Sequence, residues 1–261
     1  MAENQIRFDD GAAYERMMGT WSRLVGNDFL DWLAPRPSLR WIDIGCGNGA
    51  FTELLIERCS PAAVLGIDPS EGQLAFARGR PAARMAEFRR GDAMALPFSE
   101  GTFDVAVMAL VIFFIPDPVK GVTEMVRVVR PGGTVATYVW DMLGGGVPLE
   151  AIQIEMRAMG VTPLLPPNSS ISRMEALRDL WTGAGLDAIE TREITVHRTF
   201  ANFEDFWTTS MGSSVGPTVA AMPAANSELL KERVRTRLRP DAAGRITYGA
   251  RANAIKGYVP T

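Results

Sequence analysis

The chain has 261 residues, 47% of them apolar, which is enough for one large α/β core carrying a cap or insertion. A formal charge of −3 and a pI near 5.4 give no electrostatic reason for a polyanionic partner, so nucleic acid is not expected as the main ligand. Two cysteines, Cys46 and Cys59, make neither a metal cluster nor a disulfide framework, and no metal is expected.

The first ten residues lack the basic start and apolar run of a signal peptide. The longest apolar run, Val105 to Ile115, falls well short of the ~20 residues that span a bilayer, so no transmembrane segment and a cytoplasmic location are expected. Residues 11–34 read as an amphipathic helical region, with Met17, Trp21, Val25, Phe29 and Leu33 near helical spacing and a break predicted at Gly19-Thr20. Pro35 and Pro37 end it. The stretch Trp41-Ile42-Asp43-Ile44-Gly45-Cys46-Gly47-Asn48-Gly49 then reads as a buried strand running into a tight turn, with an amphipathic helix from Phe51 to Arg58. Glycine admits positive φ and lets backbone approach a ligand, and the helix start beyond it offers N–H groups and a positive dipole end. Gly45-x-Gly47-x-x-Ala50, with Asp68 downstream, also satisfies the dinucleotide fingerprint, so the turn alone leaves two cofactor classes open.

The string Asp43-Ile-Gly-Cys-Gly-Asn-Gly49 resembles the first motif of class I S-adenosylmethionine-dependent methyltransferases, the methyltransferase type 11-like small-molecule group in particular. The resemblance implies a Rossmann-like, doubly wound α/β fold with a seven-stranded, mostly parallel sheet whose last strand is antiparallel. It also implies that Asp43, Gly45, Cys46, Gly47 and Gly49 cup the amino-acid end of the cofactor, and that Asp68, followed by Pro69 at the end of a second strand (62–68), holds the ribose. Tyr14 and Trp21 lie in a segment that resembles the family's cofactor-covering region, and core packing is the competing role for both. Ser70 caps a predicted helix over 71–80. Residues 84–90 have poor strand propensity, yet a third strand is placed there because Gly91-Asp92-Ala93-Met94-Ala95-Leu96-Pro97-Phe98 resembles the adenine-holding segment, with Asp92 and Ala93 as the contacts. An Asx-turn is the alternative role of Asp92.

Phe103 to Val111 reads as a central strand covered on both faces, and its carboxyl end, at Leu110, falls at the ligand crevice. A helix over 118–129, Arg130-Pro131-Gly132-Gly133 and a fifth strand over 135–141 complete five family-like motifs in order. Beyond them a helix is predicted over 148–160, a loop over 163–167, a helix capped by Ser172 and ending at Thr182, a strand over 189–196 and a last strand within 246–259. The organisation expected is a helical cap (1–36), a cofactor core (37–143) and a remainder (144–261) with lid insertions at 144–170 and 201–240.

Methyl transfer from a sulfonium needs orientation first and a general base only where the acceptor must lose a proton. Asp141, at the end of the fifth strand, and His197, the sole histidine, are the candidate bases, with capping and surface packing as their competing roles. Residues 231–239 form a basic run on an amphipathic helix, read as a solvated face or as an anionic contact. The function expected is S-adenosylmethionine-dependent methylation of a small apolar or amphipathic molecule, with S-adenosylhomocysteine as product. Trp140, Met156, Met159 and the Phe113-Phe114 loop are its expected apolar walls. The rivals are a non-catalytic binding module and a nicotinamide-linked oxidoreductase, for which Tyr-x-x-x-Lys is lacking. Oligomeric state and acceptor atom are not legible.

Overall fold

The computed structural model describes residues 15–261, so Tyr14 lies outside the described residues. Seven strands make one sheet: β1 (Arg40–Ile44), β2 (Ala63–Asp68), β3 (Ala86–Arg90), β4 (Phe103–Ala109), β5 (Val129–Trp140), β6 (Asp187–Phe200) and β7 (Ile246–Tyr258). Their order is β3-β2-β1-β4-β5-β7-β6, with β7 antiparallel to both neighbours and the other pairings parallel. A dinucleotide-binding sheet runs 3-2-1-4-5-6 without a reversed strand between the fifth and sixth. The inserted antiparallel β7 departs from that sheet.

Alternation along the strands sorts side chains to the two faces. Trp41, Val105, Val107, Ala136 and Tyr138 pack against α1 (Thr20–Leu33) and α2 (Ala50–Cys59). Ile42, Ile44, Ala106, Met108 and Val135 pack on the other side with α4 (Pro118–Val128) and α6 (Met174–Gly183). The short α3 (Glu71–Arg78) closes the β2–β3 edge through Leu74 and Ala77, and Ser70 accepts from the Gln73 N–H as its cap. Of the remaining helices, α5 (Glu150–Ala158) follows β5, while α7 (Phe203–Met211), α8 (Val215–Ala220) and α9 (Ala224–Arg237) are inserted between β6 and β7. Their apolar residues, including Phe206, Val219, Leu230 and Val234, join the same core face as α1.

Several boundaries differ from expectation for local reasons. At Gly19-Thr20 the chain does not break: a π-helical turn, Glu15–Gly19, passes directly into α1. The Arg198 guanidinium donates to the Met17 carbonyl there. The Pro131-Gly132-Gly133 turn lies inside β5 as an irregularity, since Phe103 pairs with Val129 and Val105 with Thr134. Strand β6 is longer than its alternation implied because β7 pairs with it through Phe200. Ser172 does not cap α6, whose N-cap is Arg173; its hydroxyl donates to the Ser169 carbonyl and accepts from the Met142 N–H instead. β3 forms despite its propensity, because parallel pairing with β2 satisfies its backbone.

The basic run starts on α9 and passes its end, and Lys231, Arg233, Arg235 and Arg237 are engaged within the chain. Arg233 and Arg237 bind Glu155 of α5, while Lys231 and Arg235 bind Glu204 of α7. Arg235 also lies 4.4 Å over the Phe203 ring. Among the described residues, no helix is long and apolar enough to cross a membrane and no cluster of metal ligands is present.

Candidate functional site

The carboxyl ends of β3, β2, β1 and β4 lie side by side, so Asp92, Asp68, the 45–49 loop and Leu110 follow one another along one edge of the sheet. Three strand spacings make this row about 14 Å long, suited to an elongated ligand. The loop is shaped by glycines in the left-handed region, with φ of 75° at Gly45, 52° at Gly47 and 78° at Gly49. They answer different needs. A Cβ on Gly45 would lie 2.6 Å from Val111 Cγ2, and one on Gly49 would lie 3.0 Å from Ala77 Cβ, so both are packed against protein. A Cβ on Gly47 would meet nothing within 4 Å. Gly47 therefore borders open space, and a ligand can approach its backbone.

The acids on either side are held by different partners. Asp43 is fully buried on the α2 face of β1, where Thr52 Oγ1 donates to its Oδ2 at 2.6 Å. Its Oδ1 is buried with no hydrogen-bond partner. Burial, eased by the Thr52 hydrogen bond and reinforced by the Asp68 charge, pushes the Asp43 carboxyl up to about 7. A buried carboxylate oxygen without a donor is costly, and a cationic or N–H-bearing ligand group would satisfy it. Asp68 ends β2 and spans the loop: its Oδ2 accepts from the Gly47 N–H at 3.0 Å and its Oδ1 from the Ser70 N–H at 2.8 Å. Burial raises its carboxyl, and those two N–H donors oppose the rise. Pro69 follows it, exposed. Cys46 is buried, and desolvation ahead of the charges of Asp43 and Asp68 holds its thiol well above the usual range. Such a thiol packs and stays protonated at neutral pH.

Asp92 is exposed and its Oδ1 accepts from the Met94 N–H at 2.8 Å, the Asx-turn geometry, while Ala93 is buried. Leu110 adopts φ of 61° at the mouth of β4 with its side chain buried, a strained conformation for a branched residue. Trp21 belongs to the core: its ring meets Trp140 edge-on at 6.4 Å and Phe200 at 6.5 Å. Trp140, Met156 and Phe113 are buried as well. Asp141 is held by Arg251 at 2.5 Å and by the Gly144 N–H at 2.9 Å. His197 is exposed on the edge strand β6, four positions along the sheet from β1.

Sequence reading missed the residues that support these loops. Arg80, just beyond α3, donates to the Asn48 carbonyl. Glu124 and Arg127 of α4 hold the 96–98 segment, with Glu124 accepting from the Leu96 N–H and Arg127 donating to the carbonyls of Leu96 and Phe98. No motif marks them, because each acts on backbone atoms that any residue supplies.

The strand order and the glycine turn give this core the Rossmann-like sheet of its methyltransferase neighbours. Residues 42–137 match the family model described as "Methyltransferase domain". Among curated relatives, the chain is 38% identical over 107 residues to a demethylmenaquinone methyltransferase of Desulfitobacterium hafniense, covering 39% of this chain and 42% of that protein. It is 34% identical over 131 residues to the ubiquinone/menaquinone biosynthesis C-methyltransferase UbiE of Cereibacter sphaeroides, covering 49% and 52%. The chain thus spans about half the length of the curated relatives it matches. Two solved structures share the fold. Bacillus subtilis YcgJ has a TM-score of 0.59 at 15% identity, covering 91% of this chain and 98% of that one. Haemonchus contortus phosphoethanolamine N-methyltransferase 2, solved in complex with S-adenosyl-L-methionine, has a TM-score of 0.57 at 19% identity, covering 96% and 57%.

Proposed function

We propose that this protein transfers the methyl group of S-adenosylmethionine to a ring carbon of a small quinone-type acceptor. The observation that carries the cofactor assignment is the open cradle at Gly47, whose N–H donates to the Asp68 carboxylate, together with the partnerless Oδ1 of Asp43 on the strand that leads into the loop. The acceptor class is supported by the names of the two curated relatives, one acting on demethylmenaquinone and one in ubiquinone/menaquinone biosynthesis.

The residues present fit the cofactor. The Asp43 oxygen would accept from its ammonium group, Gly47 would let its chain pass close to the backbone, and Asp68 would receive the ribose hydroxyls. Asp92 and Ala93 would address the exocyclic amine and ring of the adenine, and Leu110 would border the cleft at β4. When bound, S-adenosylmethionine supplies a methyl on a positively charged sulfur, so the S–C bond breaks with its electrons staying on sulfur as the acceptor bond forms. The acceptor ring gives up a proton in exchange. The chain's contribution is orientation at near-contact distance, which can carry much of the rate. Asp141, tied to Arg251, and His197, on the far edge strand, are assigned no part in that proton transfer.

The first test is a thermal-shift and calorimetric comparison of S-adenosylmethionine, S-adenosylhomocysteine, NAD and NADP, since ligand in excess of its dissociation constant stabilises the fold measurably. Selective binding of the sulfonium cofactor and its product is expected, and selective binding of NAD or NADP would overturn the assignment. With labelled S-adenosylmethionine and a reduced, short-chain prenyl naphthoquinone, mass spectrometry should find the methyl on a ring carbon. Cofactor binding without that product, or with methyl on oxygen, would remove the quinone reading and leave the cofactor reading standing.

A further inference from the structure

We infer that Arg80 is a positioning residue for the cofactor loop, fixing the Asn48–Gly49 peptide unit of the glycine turn. This rests on the methyltransferase reading above. Asn48 lies between Gly47 and Gly49, both left-handed and both without the Cβ that would restrict rotation. The Asn48–Gly49 peptide is held at both ends. Its carbonyl accepts from Arg80 Nε at 2.5 Å, and its N–H donates to the Cys46 carbonyl at 2.9 Å. Two units back, the Cys46–Gly47 peptide is held by Asp68 through the Gly47 N–H.

The Arg80 side chain is only 10% exposed, and its Nη1 pairs at 2.9 Å with Glu53 in the first turn of α2. Its Cδ would lie 3.4 Å from a Cβ on Gly49, so the aliphatic stem lies along the turn while the guanidinium grips it. Glu53 is approached in turn by Arg23 of α1 at 3.7 Å, which ties the N-terminal helix to the same clamp. Arginine suits the place because its planar fork donates in two directions at once, to a carbonyl and to a carboxylate. Lysine, a single compact charge on a flexible stem, cannot hold both in that geometry. Arg80 reaches the loop backbone, Glu53 and the Phe76 ring, so its effect on the cofactor is transmitted through backbone position.

The test compares Arg80→Lys and Arg80→Ala with the wild-type full chain. Calorimetry with S-adenosylhomocysteine and hydrogen exchange at residues 45–50 are the readouts. Arg80→Lys should weaken binding about tenfold, with faster exchange confined to the loop and α2's first turn. In Arg80→Ala, low-millimolar guanidinium should restore part of the affinity by refilling the site, a recovery that general destabilisation would not produce. A folded Arg80→Lys protein with wild-type affinity overturns the inference. So does an affinity loss that tracks melting temperature and ignores guanidinium. If the wild type itself binds neither S-adenosylmethionine nor its product, the failure belongs to the methyltransferase reading.

Discussion

Gly45 and Gly47 share a left-handed conformation, yet replacing each by alanine should give different outcomes. An alanine at either site carries the cost of positive φ, about 1–2 kcal/mol. At Gly45 the new methyl would also collide with Val111, with Cγ2 at 2.6 Å, and overpacking of this kind adds about 1–3 kcal/mol. The total for Gly45→Ala is roughly 2–5 kcal/mol, a large share of the ~5–15 kcal/mol that holds a typical domain together. Pairing it with Val111→Ala should return most of the collision part, so the two substitutions should be non-additive. At Gly47 the methyl meets nothing within 4 Å, so stability should fall by only the conformational ~1–2 kcal/mol. Its cost should fall on the ligand instead, because the methyl occupies the cradle. S-adenosylhomocysteine affinity should drop about 10- to 100-fold. Urea denaturation measures the first quantity and titration calorimetry the second. A Gly47→Ala protein that binds the cofactor product as tightly as wild type would refute the placement of the ligand against this loop.

Asp43 should make stability fall with pH. Its carboxyl titrates near 7 in the folded chain against an ordinary 3.8, so between those values the folded state keeps a proton that the unfolded state has released. Its contribution is therefore most favourable below about pH 4, declines towards pH 7 and is flat above, by on the order of 4 kcal/mol in all. The wild-type minus Asp43→Asn difference in urea stability should trace that decline, and a difference constant from about pH 4 to pH 8 would contradict it. Leu110→Gly should be at least as stable as Leu110→Ala in thermal melts, reversing the ordinary ranking, because Leu110 sits at φ of 61° where glycine is unstrained. Glu155→Ala should cost about 1–3 kcal/mol and speed hydrogen exchange along α9, since this buried carboxylate gathers both Arg233 and Arg237; unchanged exchange there would show the bridge to be idle.

The strand–glycine–helix unit at 41–58 was legible in the residues, and the acids Asp43, Asp68 and Asp92 and the class of fold through the resemblance those residues carry. They were legible because each is a local pattern: a short run that buries β1, glycines that admit left-handed turns, and carboxylates at or near strand ends. A poor strand such as β3 could be placed only by the motif that follows it, and it forms because β2 supplies its hydrogen bonds. What the chain could not announce was decided by distance in space. Trp21 goes to the core because Trp140 and Phe200 converge on it from β5 and β6. Asp141 is taken up by Arg251 and the cations of α9 by Glu155 and Glu204, partners 27 to 110 residues away. Arg80 reaches the glycine loop from beyond α3 and grips a carbonyl that carries no side-chain signature. Local pattern thus determined the cradle and its acids, whereas long-range packing decided which charged and aromatic residues serve the frame around it.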